Sequence, residues 1–179
     1  MSFLSKMFGM KKENDNLLSS SELGKYLFGL CLRNSKSFID SLKEQQEKNK
    51  ELLKINIDDI DVLELTIVFM WSYFDLLQVE KYRKSLDVMH NHFFDFVKKR
   101  GEDAKRSYEL LSARYDKYRQ NFRNQSKPDY SKVAHLISAN IQHLDSPCTN
   151  IILHTMITIT IQENILNTGK AILKTSPRD

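Results

Sequence analysis

Asp87 and His90 stand three residues apart, a spacing that puts an acid and an imidazole on one face of a helix. Helical bundles with two metal ions use two Glu-x-x-His pairs and two further carboxylates. This chain supplies one pair, with Asp in place of Glu, and Asp61, Glu64 and Asp75 as spare carboxylates on a neighbouring segment. His135, His143 and His154 have no acid three residues before them, so the second half-site is missing. No metal is expected, and Asp61, Glu64, Ser72 and Asp75 read as a polar stripe along one side of a helix. Cys148 follows Pro147 in what reads as the first turn of a helix, where the macrodipole could lower a thiol pKa. Neither His143 nor His154 has a spacing that guarantees contact with it, so a small side chain filling a helix start is the expected role.

The motifs of several other chemistries are absent, although an enzyme can exist without them. No phosphate-cradling glycine loop, dinucleotide turn, serine elbow or H-E-x-x-H helix occurs. No catalytic residue, cofactor-binding residue or cofactor is expected. The main electrostatic feature lies between Val97 and Lys132, where eleven basic residues against five acidic ones give +6, in a chain of net +4. Arg106, Arg114, Lys117, Arg119 and Arg123 are its candidate interaction surface. Tyr108, Tyr115 and Tyr118 lie among them, and such a face could hold a nucleic-acid backbone. The tyrosines share core-type spacing, however, and should point inward.

Helices must position all of these groups. The chain has only five glycines and three prolines in 179 residues, which leaves few tight turns and favours long helices. Its two cysteines, Cys31 and Cys148, make no disulfide framework, and a cytoplasmic location follows by default. Residues 1–18 read as an amphipathic segment followed by a polar linker. In it, Phe3, Leu4, Met7 and Phe8 stand beside Lys6, Lys11 and Lys12. Residues 1–12 could touch an anionic membrane weakly, dock in a partner's groove, fold back on their own domain or remain disordered. The order of charge and apolar residues there does not suit a signal peptide.

Residues 19–175 read as one all-α bundle of about five to six helices, followed by a tail over 176–179. Ser19 and Glu22 have capping-box spacing and open the first helix, which polar Arg33–Ser37 could kink. Lys43–Glu51 is almost wholly polar and should project into solvent. Val62–Val79 is apolar around most of its circumference and should be the central helix. Glu64 and Asp75 argue against its spanning a membrane. A break is expected at Gln78–Lys84, and Gly101 should stop the next helix. A fourth helix is expected from Asp103 to Asn124, a turn at Gln125–Asp129, and a fifth helix carrying Tyr130, Val133, Ile137, Ile141 and Leu144. Ser146 and Pro147 look like the start of the last. Thr155–Gln162 alternates partly like a strand, but a lone strand would leave its backbone unpaired, so helix is preferred. Ile152, Met156, Ile159, Leu166 and Leu173 are its expected inner stripe. Expected core residues are Phe69, Met70, Trp71, Phe74, Leu77, Phe93, Leu111, Ile137 and Ile159.

These features favour a non-enzymatic helical module, of adaptor or accessory type, that binds a protein partner or a second copy of itself. The alternative is a nucleic-acid-associated protein using the basic fourth helix.

Overall fold

Local signals decide where most helices begin. In the computed structural model, which describes residues 18–124, 127–144, 150–173 and 177, helix α1 covers Ser20–Lys48. Ser19 accepts from the Glu22 amide while the Glu22 carboxylate accepts from the Ser19 amide, completing the expected capping box. Asp61 caps α2 (Val62–Leu76), Asp103 caps α4 (Ala104–Phe122), Asp129 caps α5 (Tyr130–Asn140) and Asn150 caps α6 (Ile151–Glu163). Each short oxygen-bearing side chain satisfies amide donors that the first turn leaves unpaired. The expected break after α2 is present, as a 3-10 turn at Glu80–Tyr82 ahead of α3 (Arg83–Lys99). Gly101 then adopts a φ of 78°, the left-handed conformation that ends α3.

The molecule is a single-domain all-α bundle with six helices of eleven residues or more among the described residues. Its extended structure is a minimal hairpin in which Arg123–Asn124 pairs antiparallel with Lys127–Pro128, joining α4 to α5. Helix α2 is the centre, with Ile67, Met70, Trp71 and Tyr73 wholly buried. Helix α1 lies against α2 and α3. It approaches α3 so closely that a Cβ on Gly24 would sit 2.5 Å from the Ser85 carbonyl oxygen. Trp71 packs edge-on against Tyr118 and Phe122, which seats α4 on α2.

Several expectations change here. Helix α1 is uninterrupted through Arg33–Ser37, because Ser35 turns inward, donates to the Cys31 carbonyl and meets Thr66 of α2. The end of α1 is exposed at Glu44 and Lys48. Gln46 nevertheless donates to the carbonyls of Leu53 and Ile55, so the following loop is tied back to the helix. Thr155–Gln162 is helix, as preferred, but its inner stripe is Leu153, Ile157 and Ile161. Ile159, expected in the core, is 49% exposed. A helix apolar all round gives no phase from which to choose its inner face. The remaining core expectations are buried except Phe74, which is partly so. The amphipathic segment 1–12, the Ser146–Pro147 start signal and Cys148 lie outside the described residues.

Candidate functional site

Helix α6 does not end in a conventional cap. Asn164–Gly169 continues it as a π-helical segment, followed by the short α7 (Lys170–Leu173). Such widened turns recur at functional sites because the extra residue re-aims the side chains around it. Gly169 lets the segment press against α2, where any Cβ would collide with Leu76. The re-aimed side chain is Asn164, which is buried. Its amide oxygen accepts from Tyr73 at 2.9 Å and from Asn34 at 3.1 Å, and its nitrogen donates to Ser72. Ser72 in turn donates to the Phe69 carbonyl at 2.7 Å. This network joins α1, α2 and the π segment and satisfies all the groups it buries, as a low-dielectric interior demands. Burial also pushes the Tyr73 hydroxyl far above its usual pKa, so it stays a donor.

The network forms one end of an open cleft of about 470 Å³. Helices α1 and α6 are its two walls: Asn34, Ser37 and Ser41 on the first, Met156, Ile159, Thr160 and Glu163 on the second. Phe38 and Phe69 form the apolar base. The walls run antiparallel, since Asn150 ahead of α6 donates to the Leu52 carbonyl beyond α1, while Asn164 meets Asn34. Among the described lining residues one is charged, Glu163. The cleft thus offers an apolar base, amide and hydroxyl groups along its edges, and a carboxylate at one end. None of its lining was singled out from sequence as a site. The available signal was the absence of any formally charged residue from Ile151 to Gln162, which leaves no face of the helix plainly the outer one.

The basic residues of α4 have other engagements. Arg114 grips Glu64 through two nitrogens, at 2.9 and 2.6 Å, with side-chain exposures of 19% and 3%. Burial opposes the Arg114 charge, but the Glu64 hydrogen bond and charge outweigh it and raise its pKa. Arg119 and Arg123 both approach Asp75, at 3.8 and 3.1 Å, and Arg119 also lies over the Phe74 ring. The acids of α2 are therefore not a solvated stripe; they are the partners of α4. Arg106 and Lys117 are exposed and make no ion pair among the described residues. The five candidates do not share one free surface.

His90 packs between the rings of Phe74 and Tyr115, and its Nε2 lies 3.1 Å from the Tyr115 hydroxyl. Burial lowers its pKa, against the pull of Asp87. An imidazole held neutral among aromatic rings is a packing group here. Among the described residues, no three His, Cys, Asp or Glu side chains converge as metal ligands. Likewise, no described helix is long and apolar enough to cross a membrane. No protein-family model matches the chain, and neither a curated protein nor a solved structure matches it.

Proposed function

We propose that this chain is a helical interaction module of the cytoplasm, without catalytic activity, that receives an apolar helix of a protein partner in the cleft between α1 and α6. The observation that carries this reading is the outward face of α6, where Ile159 is 49% exposed above Phe38 and Phe69. A monomer leaves few such faces uncovered, and a groove with an apolar base suits amphipathic helices presenting anchors at i, i+3 or i+4. The polar edges formed by Asn34, Ser37, Ser41 and Thr160 suit the half-exposed flanks of such a helix. A cytoplasmic setting is consistent with buried, unpaired Cys31. Nucleic-acid binding through α4 has less support, because Arg114, Arg119 and Arg123 are engaged with acids of α2.

A photo-crosslinking amino acid placed at Ile159, with the same group at Arg106 as control, tests the proposal in the chain's own cells. The expected result is a discrete adduct from position 159 alone, mapping to an amphipathic helix and lost when Met156→Glu is added. Adducts only with further copies of this chain, or none that Met156→Glu removes, would sink it.

A further inference from the structure

The polar groups buried at the closed end of the cleft can donate and accept in only one consistent direction. The Ser72 hydroxyl lies 2.7 Å from the Phe69 carbonyl oxygen, and two oxygens that close need a proton between them. A carbonyl has none, so the Ser72 proton is spent there and its oxygen can only accept. Asn164 must therefore present its amide nitrogen to Ser72 and its oxygen to the other side. That oxygen meets the Tyr73 hydroxyl at 2.9 Å and the Asn34 amide at 3.1 Å, and both must donate to it. Asn34 thus turns its nitrogen inward, where it also reaches the Tyr73 hydroxyl. Through two side-chain amides, one hydroxyl proton on α2 decides which atom of Asn34 is left for a ligand.

The atom left is an acceptor. Asn34 is half-buried in the cleft lining, and its carbonyl oxygen makes no hydrogen bond among the described residues. The Glu163 carboxylate lines the same end, exposed and without an ion pair or hydrogen bond among the described residues. No lysine or arginine lines the cleft among those residues. We propose that this end of the cleft is a lysine subsite. The partner helix places a lysine ammonium between Glu163 and Asn34, one turn beyond apolar anchors that rest on Phe38, Phe69 and Ile159. This rests on the cleft being the docking surface argued above, and adds the chemistry that surface selects.

Distances along the two walls set that spacing. Seven residues separate Asn34 from Ser41 and Met156 from Glu163, about 10 Å on each wall, which is room for about two turns of a guest helix. Ile159 and Glu163 are four residues apart, so the apolar base gives way to the carboxylate after one turn. A lysine there lays its aliphatic stem along Phe69 and Ile159 and keeps its ammonium among oxygens. The acceptors come singly from two helices, Asn34 on α1 and Glu163 on α6, with the Thr160 hydroxyl one turn before Glu163. Separate acceptors suit the three diverging donors of an ammonium better than the planar fork of a guanidinium.

Hexylammonium, hexanol and hexanoate are probes that share one tail and differ in head group. Titrated into the full chain at pH 7 and followed by the methyl signals of Met156 and Ile159, the ammonium should bind about fivefold tighter than the alcohol. Hexanoate should bind weakest. Glu163→Gln, a change at an exposed side chain, should reduce the preference to about twofold or less. Ser72→Ala should also reduce it without touching the probe, because Asn164 and then Asn34 become free to turn over. Equal binding of ammonium and alcohol, or a preference that survives either substitution, would overturn the proposal. In the photo-crosslinked adduct, the partner helix should carry a lysine within one turn of the residue joined to position 159. An adduct whose helix lacks that lysine rejects the subsite and leaves the partner reading standing. Ammonium preference with no adduct removes the partner reading, and makes a free alkylamine rather than a peptide lysine the occupant.

Discussion

His90 illustrates how one buried side chain links packing to solution behaviour. It sits among Phe74 and Tyr115 with its Nε2 against the Tyr115 hydroxyl, and burial holds its pKa below the ordinary 6.5. The Tyr115 hydroxyl, its own pKa raised well above normal by burial, remains protonated and serves the neutral imidazole. Well above pH 6.5 neither the folded nor the unfolded chain protonates this group, and its burial carries no protonation penalty. As pH falls below 6.5, the unfolded chain takes up a proton that the folded one refuses, so stability declines until the folded imidazole also titrates. Urea unfolding followed by Trp71 fluorescence from pH 7 to 5 should therefore show a falling midpoint, with a shallower fall in His90→Gln. Parallel curves for the two proteins would show that His90 is not held neutral. Asp87, three residues earlier, attracts the proton and is outweighed, so Asp87→Asn should steepen the fall.

Helix α4 stays on α2 by ion pairs as well as rings. The pairs follow the same order along both helices, Glu64 with Arg114 and then Asp75 with Arg119 and Arg123. They differ in burial, and that decides their weight. Removing one partner of a buried pair leaves an uncompensated charge, whereas an exposed arginine contributes less than about 1 kcal/mol. Arg114→Met should cost about 3 kcal/mol in urea unfolding, and adding Glu64→Met should recover most of it, because the stranded carboxylate is gone. Arg123→Ala, at a side chain 58% exposed, should cost under about 1 kcal/mol. A double variant no more stable than Arg114→Met would refute this account. The sequence placed these acids along one side of α2 and these cations on α4, but pairing them needs the angle at which the helices cross. The capping box at Ser19 and Glu22 was legible because capping is a local matter of a few residues. The inner face of α6 was not, since Ile152, Met156 and Ile159 are as apolar as Leu153, Ile157 and Ile161. Nor was the cleft, which exists because α1 and α6 stand on either side of Phe69 without closing over it. The π turn that ends its wall has no marker in the sequence beyond Gly169.

At the scale of the whole molecule, the formal charge of +4 conceals how charge is distributed. The stretch from Val97 to Lys132 holds a surplus of six positive charges, eleven basic against five acidic, but Glu64 and Asp75 reach it from α2. Of the five cations expected to form an interaction surface, Arg106 and Lys117 remain exposed without an ion pair among the described residues. Each phosphate neutralised on duplex DNA contributes about −0.9 to the slope of log affinity against log salt. With Lys105, also exposed and without an ion pair among the described residues, three such cations on α4 predict a slope of about −3 and weak retention, lost by about 0.2 M salt. Arg106→Glu with Lys117→Glu should abolish that retention, while Arg114→Met and Arg123→Ala should leave the slope within about one unit of its starting value. Gel retardation across a salt series, with duplex DNA and with RNA, measures both quantities. A slope of about −4 or steeper that collapses on Arg114→Met would mean that the ion pairs open for a nucleic acid, favouring α4 over the proposed α1–α6 cleft as the binding surface. The shallow slope is expected because opening the Glu64 pair would leave a carboxylate of 3% exposure buried without its cation.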